Sequence, residues 1–258
     1  MKERGMIFNG EMVRAILDGR KTQTRREIKL NLDIACLATT YDWATSLAAN
    51  HYQGLTEEQI QQKAESLRGV IHPVILGNGQ MVSIICPYGK PGDRIWVRET
   101  WGVVSHELDE DGRIQPWTPD RPATVIHEMP FGNGYYSGHA IYAADGDFTW
   151  GDDDGYEDGR SCWKPSIHMP RAASRILLEI TDVRVERLNS ISQEDAQAEG
   201  LELTGWRPTY SDPDSGGEVM TPYDNFAELW SSIYGDESWQ ANPWVWVIEF
   251  KRVEGGAA

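Results

Sequence analysis

Two short stretches of the chain gather side chains suited to a phosphate or a nucleobase. In WKPSIHMPR, residues 163–171, Lys164, Ser166, His168 and Arg171 supply hydrogen-bond donors and positive charge, the combination that recognises phosphate oxygens and base edges. In PGDRIWVRE, residues 91–99, Arg98 and Glu99 end an otherwise apolar strand, where an unpaired charge is costly to bury. That pair fits two arrangements: a strand end closed by an ion pair, or the rim of a ligand cleft with Arg98 on a phosphate or base. His168, between Ile167 and Met169, likewise fits a partly buried, satisfied histidine or a donor to a ligand. The six histidines, at 51, 72, 106, 127, 139 and 168, show no HxxxH or HExxH spacing, and Cys36, Cys86 and Cys162 make no CxxC pair. No metal centre is therefore expected. The run Asp152–Asp158 lacks the alternating acidic spacing of a calcium loop. There is no GxSxG, no Gly-rich phosphate loop and no dinucleotide fingerprint, so no cofactor is expected.

The charge around these stretches is segregated. The 258 residues carry 24 Lys and Arg against 40 Asp and Glu, a net charge of −16. The first thirty residues are nevertheless basic, as are Lys164, Arg171 and Arg175, while the acid concentrates in SHELDEDG (105–112) and GDFTWGDDDGYEDG (146–159). Such a balance opposes long, nonspecific binding along a phosphate backbone. It leaves room for a pocket that takes one nucleotide at a time. Residues 115–140, between the acidic runs, have little periodicity and read as a solvated insertion. A sharper reading of the acidic runs is a surface that imitates DNA. No stretch approaches the roughly 20 apolar residues of a membrane span, and the N-terminus has no apolar signal core. A cytoplasmic protein with reduced thiols and no membrane partner is expected.

The elements that must position these residues follow from periodicity. Glu11–Leu17 has the stripe of a short amphipathic helix, with Asn9 as its cap and Gly19 as its stop. RKTQTRREIKL then runs extended. Helices are expected over 55–67 and 223–234, and a short one after Ser192 that Gly200 ends. Strands are expected over 81–86, 94–99, 139–144, 175–188 and 244–252. Strands dominate, helices are short and no βαβ rhythm appears, which predicts an α+β fold, mainly β, with a barrel-like antiparallel sheet.

The order of FNGEMVRAILDGRKTQTRR, PGDRIWVRET, WKPSIHMPRAASRI and NPWVWVIEFKR resembles the ASCH family, a branch of the PUA-like β-barrels associated with RNA. The similarity is greatest to the longer ASCH proteins of bacteriophages and prophages, which would place the chain in a bacterial host cytoplasm. The resemblance implies a single domain over 1–258 with a PUA-like barrel core in 5–30, 81–101 and 163–252. It implies a helical insertion at 31–80 and an acidic, loop-rich insertion at 102–162. A small bacterial amidohydrolase of the family removes the acetyl group of N4-acetylcytidine with a Lys, a Thr three residues later and a Glu in a later short helix. These fall on Lys21, Thr24 and Glu199, with Glu194 as a competitor for the last.

The implied chemistry is hydrolysis of an N4-acyl amide on a modified nucleoside or nucleotide, free or within RNA or DNA. Thr24 would be the nucleophile, Lys21 its base and Glu199 an assistant. Arg20, Arg25 and Arg26 would lower the Lys21 pKa as positive neighbours. Those three, with Arg98, Glu99, Lys164, Ser166, His168 and Arg171, would line the substrate site. In a straight strand Lys21 and Thr24 point to opposite faces, so the reading requires a bend within Lys21–Thr24. The same resemblance allows a non-catalytic RNA- or modified-base-binding module, a ribonuclease, or an acidic phage counter-defence protein.

Overall fold

The computed structural model describes all residues except 52–54, 105–106, 109, 112, 116, 151–161, 202–220 and 254–258. Most of the two acidic runs therefore lies outside the described residues. In chain order the elements are β1 (Glu3–Ile7), α1 (Gly10–Leu17), β2 (Gln23–Glu27), β3 (Ile34–Leu37), α2 (Thr40–His51) and α3 (Glu57–Leu67). Next come β4 (His72–Leu76), β5 (Met81–Ile84), β6 (Arg94–Arg98) and β7 (Trp101–Val104). Two short strands, β8 (Glu107–Leu108) and β9 (Ile114–Gln115), precede β10 (Thr124–Phe131) and β11 (Gly134–Tyr142). The last third holds β12 (Leu177–Arg187), α4 (Gln193–Ala198), α5 (Pro222–Tyr234), α6 (Asp236–Ala241) and β13 (Trp244–Arg252). The fold is α+β with many strands. Among the described residues the sheets are open and none closes into the barrel that the resemblance implies. No helix among them is long and apolar enough to cross a membrane.

The chain packs as two compact units, each assembled from separate segments: residues 1–2, 20–93 and 179–251 in the first, and 3–19, 94–178 and 252 onward in the second. In the first unit β13 lies between β12 and β2, and β4 lies between β3 and β5. β13 pairs antiparallel with β2 in a regular register, from Val245 opposite Glu27 to Glu249 opposite Gln23. One face of β13 presents Val245 and Val247 to a cluster with Ala196, Leu188, Phe226 and Trp230, so α4 and α5 cover that face. On the other face Trp246 meets the edge of the His72 ring at 5.0 Å between centroids.

His72 titrates well below an ordinary histidine, at about 4, because burial disfavours the imidazolium and nearby Asp182 only partly offsets this. The unfolded chain takes up that proton near pH 6.5 and the folded chain near 4. Above pH 6.5 both states are neutral at this site and there is no effect. Stability therefore falls as pH drops from about 6.5 to about 4, by about 3 kcal/mol from this group. Urea unfolding of the wild type and His72→Phe across that range checks it. The difference between their unfolding free energies should shift by that amount, in favour of the variant at low pH.

In the second unit β1 pairs parallel with β6, Glu3 opposite Arg94 through Ile7 opposite Arg98. β11 lies between β10 and β7 in an antiparallel sheet, and its core holds Trp101, Ile126, Met129, Tyr142, Met169 and Ala173. Much of the stretch expected to be a solvated insertion is thus the β10–β11 hairpin. Its register shifts between Ile126 and Met129, where Glu128 adopts φ 45°. A bulge of this kind breaks the alternation that marks a strand in sequence.

Candidate active site

The residues expected to form one site divide between the units. Arg20, Lys21, Thr24, Arg25, Arg26 and Glu199 belong to the first, and Arg98, Glu99, Lys164, Ser166, His168 and Arg171 to the second.

In the first unit, β2 and the segment after α4 position the charges. Ser192 caps α4, its hydroxyl accepting from the Asp195 amide at 3.1 Å. At the other end Lys21 forms an isolated antiparallel bridge with Glu199, and the Thr22 amide donates to the Ala198 carbonyl at 2.8 Å. Lys21 Nζ then donates to Glu199 Oε2 at 2.6 Å and to the Glu199 carbonyl at 2.9 Å. Arg20 donates to the Gly200 carbonyl at 2.8 Å. Two cations thus satisfy carbonyls at the C-terminal end of α4, where no further helical N–H reaches them. Arg25 Nη1 reaches Glu199 Oε1 at 3.2 Å, and its Nη2 reaches Asp195 at 2.9 Å and Glu186 at 3.2 Å. The Lys21 and Arg25 side chains are 0% exposed and that of Glu199 3%.

The network extends beyond the residues the sequence singled out. Gln23 Nε2 donates to the Asp195 carbonyl at 2.6 Å. Arg184 bonds Asp195 at 3.1 Å and Glu186 at 2.6 Å, and it also pairs with Glu249. The Glu249 carboxylate in the apolar WVWVIEFKR and the alternating Arg184 and Glu186 of DVRVERL were the available signals. Charges at fixed alternate positions of core strands need partners on the same face. Glu194 is absent from this network.

Burial holds the Lys21 amine below the ordinary lysine range, against the attraction of Glu199, with Arg26 and Arg25 adding to the lowering. At Asp195 burial works the other way, but Arg25 and Arg184 outweigh it and keep the carboxyl below its usual range.

Thr24 is not brought to this pair. Lys21, just before β2, and Gln23 and Arg25 within it all reach α4 or its end, so alternation persists and no bend brings Thr24 round to them. Thr24 lies opposite Ile248 and Arg26 opposite Trp246. Cross-strand partners share a face, and this is the face turned away from α4. Thr24 is buried, and among the described residues no hydrogen bond joins it to Lys21 or Glu199. Arg25, expected as a substrate contact, is occupied by three carboxylates instead. Arg20 is held on the Gly200 carbonyl, and Arg26 falls on Thr24's side of the sheet.

In the second unit Glu99 is a buried ion-pair partner and not a cleft rim. Arg175 grips it with two hydrogen bonds, 3.0 and 2.9 Å, and reaches Asp145 at 2.7 Å. The guanidinium lies 3.9 Å from the Tyr142 ring centroid. Burial raises the Glu99 pKa even against Arg175. Tyr142 donates to the Ala173 carbonyl at 2.9 Å and shares a hydrogen bond with Thr124. Tyr142→Phe leaves that buried carbonyl without its donor and should lower stability by about 1–3 kcal/mol, read as a fall in the urea midpoint.

The remaining expected contacts are dispersed. Arg98 donates to the carbonyls of Ser166 and Ile167 and stacks near Trp96. Lys164 sits over Trp101 and Tyr136. Arg171 pairs with Glu3 at 3.0 Å, and His168 is exposed. Among the described residues no group of three or more His, Cys, Asp or Glu side chains could hold a metal ion. No protein-family model matches the chain, and comparison with curated proteins and with solved structures gives no match either.

Proposed function

We propose that the chain is a PUA-like ASCH protein that hydrolyses the N4-acyl amide of a cytidine-type nucleoside, with Lys21 as the base and Glu199 as the group that orients it. One observation carries the reading: Lys21 Nζ directs two hydrogen bonds at a single residue, Glu199. Once the ammonium gives up one proton, its two remaining N–H groups can keep both bonds to Glu199 and leave a lone pair to accept a proton. Burial lowers the pKa in the direction a general base requires. In the reaction Lys21 takes a proton from water and the resulting hydroxide adds to the acyl carbon. The C–N bond then breaks and the proton passes to the departing N4 amine. Water is the nucleophile because Thr24 lies on the opposite face of β2.

A second reading, a non-catalytic binding module, is favoured by the same burial. Lys21 and Arg25 are 0% exposed, as in an ion cluster that only fastens α4 to β2. Incubating the full chain with a panel of acylated nucleosides and short RNAs, read by mass spectrometry, separates the two. The first reading predicts loss of one acyl group from an N4-acyl substrate, and the second predicts binding without a product.

A further inference from the structure

In the same unit as Lys21, a cleft of about 230 Å³ lies between residues around the ends of β3 and α3 and the middle of β12. Pro73 and Val183 contribute to apolar walls, and Arg68, Asp182 and Arg184 bring charge. Arg184 is committed to Glu186, Asp195 and Glu249. Asp182 and Arg68 have no such partners among the described residues. Among the described residues neither side chain makes a hydrogen bond or an ion pair. Asp182 is half-buried and Arg68 exposed.

The nearby cleft charge Arg184 and the buried charges Glu199 and Arg25 are, by contrast, all paired. The placement of the two groups is also constrained. Gly69, at φ +68°, lets the chain turn directly after Arg68, and a Cβ there would lie 2.9 Å from Pro91 Cγ and 3.4 Å from Asp182 Oδ1. The backbone beside Arg68 is therefore held close to the Asp182 carboxylate. His72, on the same wall, is neutral at pH 7 and brings no positive charge to the cleft.

We propose that this cleft binds a mononucleotide whose base carries an exocyclic amino group, Asp182 accepting from the amino group and Arg68 pairing with the phosphate. Carboxylates accept from the cytosine amino group, and guanidinium is the matched partner of phosphate. The volume is below the roughly 300–1,000 Å³ of drug-sized pockets, which suits one base and its ribose. Neither Lys21 nor Glu199 lines the cleft, so its test does not involve turnover.

Isothermal titration of the full chain with CMP, UMP and cytidine tests it. CMP should bind at least about tenfold more tightly than UMP, which lacks the amino group, and than cytidine, which lacks the phosphate. Asp182→Ala should erase the preference over UMP, and Arg68→Ala the preference over cytidine. Arg68 is exposed at the end of α3, so its variant keeps the test decisive if Asp182→Ala does not fold. Equal affinities for CMP and UMP in the wild type, affinities unchanged in Arg68→Ala, or no binding of any of the three would overturn the proposal.

Discussion

Arg25→Ala should destabilise the protein by about 3–5 kcal/mol, the range for removing one partner from a buried ion pair. Its guanidinium is fully buried between Glu186, Asp195 and Glu199. Removing it leaves Glu199 with Lys21 alone and Asp195 with Arg184. It also removes a cation packed 5.8 Å from the Phe226 ring centroid. Arg98→Ala is the natural comparison, because that side chain donates only to backbone carbonyls and should cost no more than about 0.5–1.5 kcal/mol. Urea unfolding of both variants, followed by tryptophan fluorescence, gives the contrast. An Arg25→Ala midpoint equal to that of the wild type would show that the cluster is not buried in the folded protein.

The second large effect is on turnover. Lys21→Met keeps the length and most of the volume of the side chain, and Arg25 still faces Glu199 at 3.2 Å. Removing one partner of this buried ion pair costs about 3–5 kcal/mol in stability, so rates are compared between folded proteins at matched stability, where the variant lacks only the proton acceptor. Removing a general base typically lowers rate by about 10²–10⁴-fold, and that loss is expected in kcat/KM for an N4-acyl cytidine. Thr24→Val, isosteric and without a hydroxyl, should leave the rate unchanged, because Thr24 shares a face with Ile248 and not with Lys21. The reverse pattern, with Thr24→Val inactive and Lys21→Met active, would return the nucleophile to Thr24.

The value of the sequence varied by element. β13 was legible to the residue as Trp244–Arg252, and α1 with its Asn9 cap was legible nearly so. Both are periodic and locally capped. α2 was missed because its apolar stripe is weak, although Thr39 and Asp42 exchange capping hydrogen bonds at its start, a T-x-x-D signal that stood in the sequence. Alternation alone already placed Lys21 and Thr24 on opposite faces. The bend needed to reunite them came from the resemblance, and the strand does not make it.

Arg98 and Glu99 were recognisable as misplaced charges. The partner of Glu99, Arg175, lies 76 residues further along the chain, and composition cannot choose it. Glu199 was legible by resemblance and, more faintly, as an acid placed against the dipole at a helix C-terminus. Nothing local to Glu199 announces that Lys21, 178 residues away, will come to lie against it.

The most direct measurement is the release of cytidine and acetate from N4-acetylcytidine by the wild type and Lys21→Met side by side, read by mass spectrometry. The account predicts both products from the wild type and none above background from the variant at matched stability. No cytidine from the wild type, or equal release from both proteins, would contradict it.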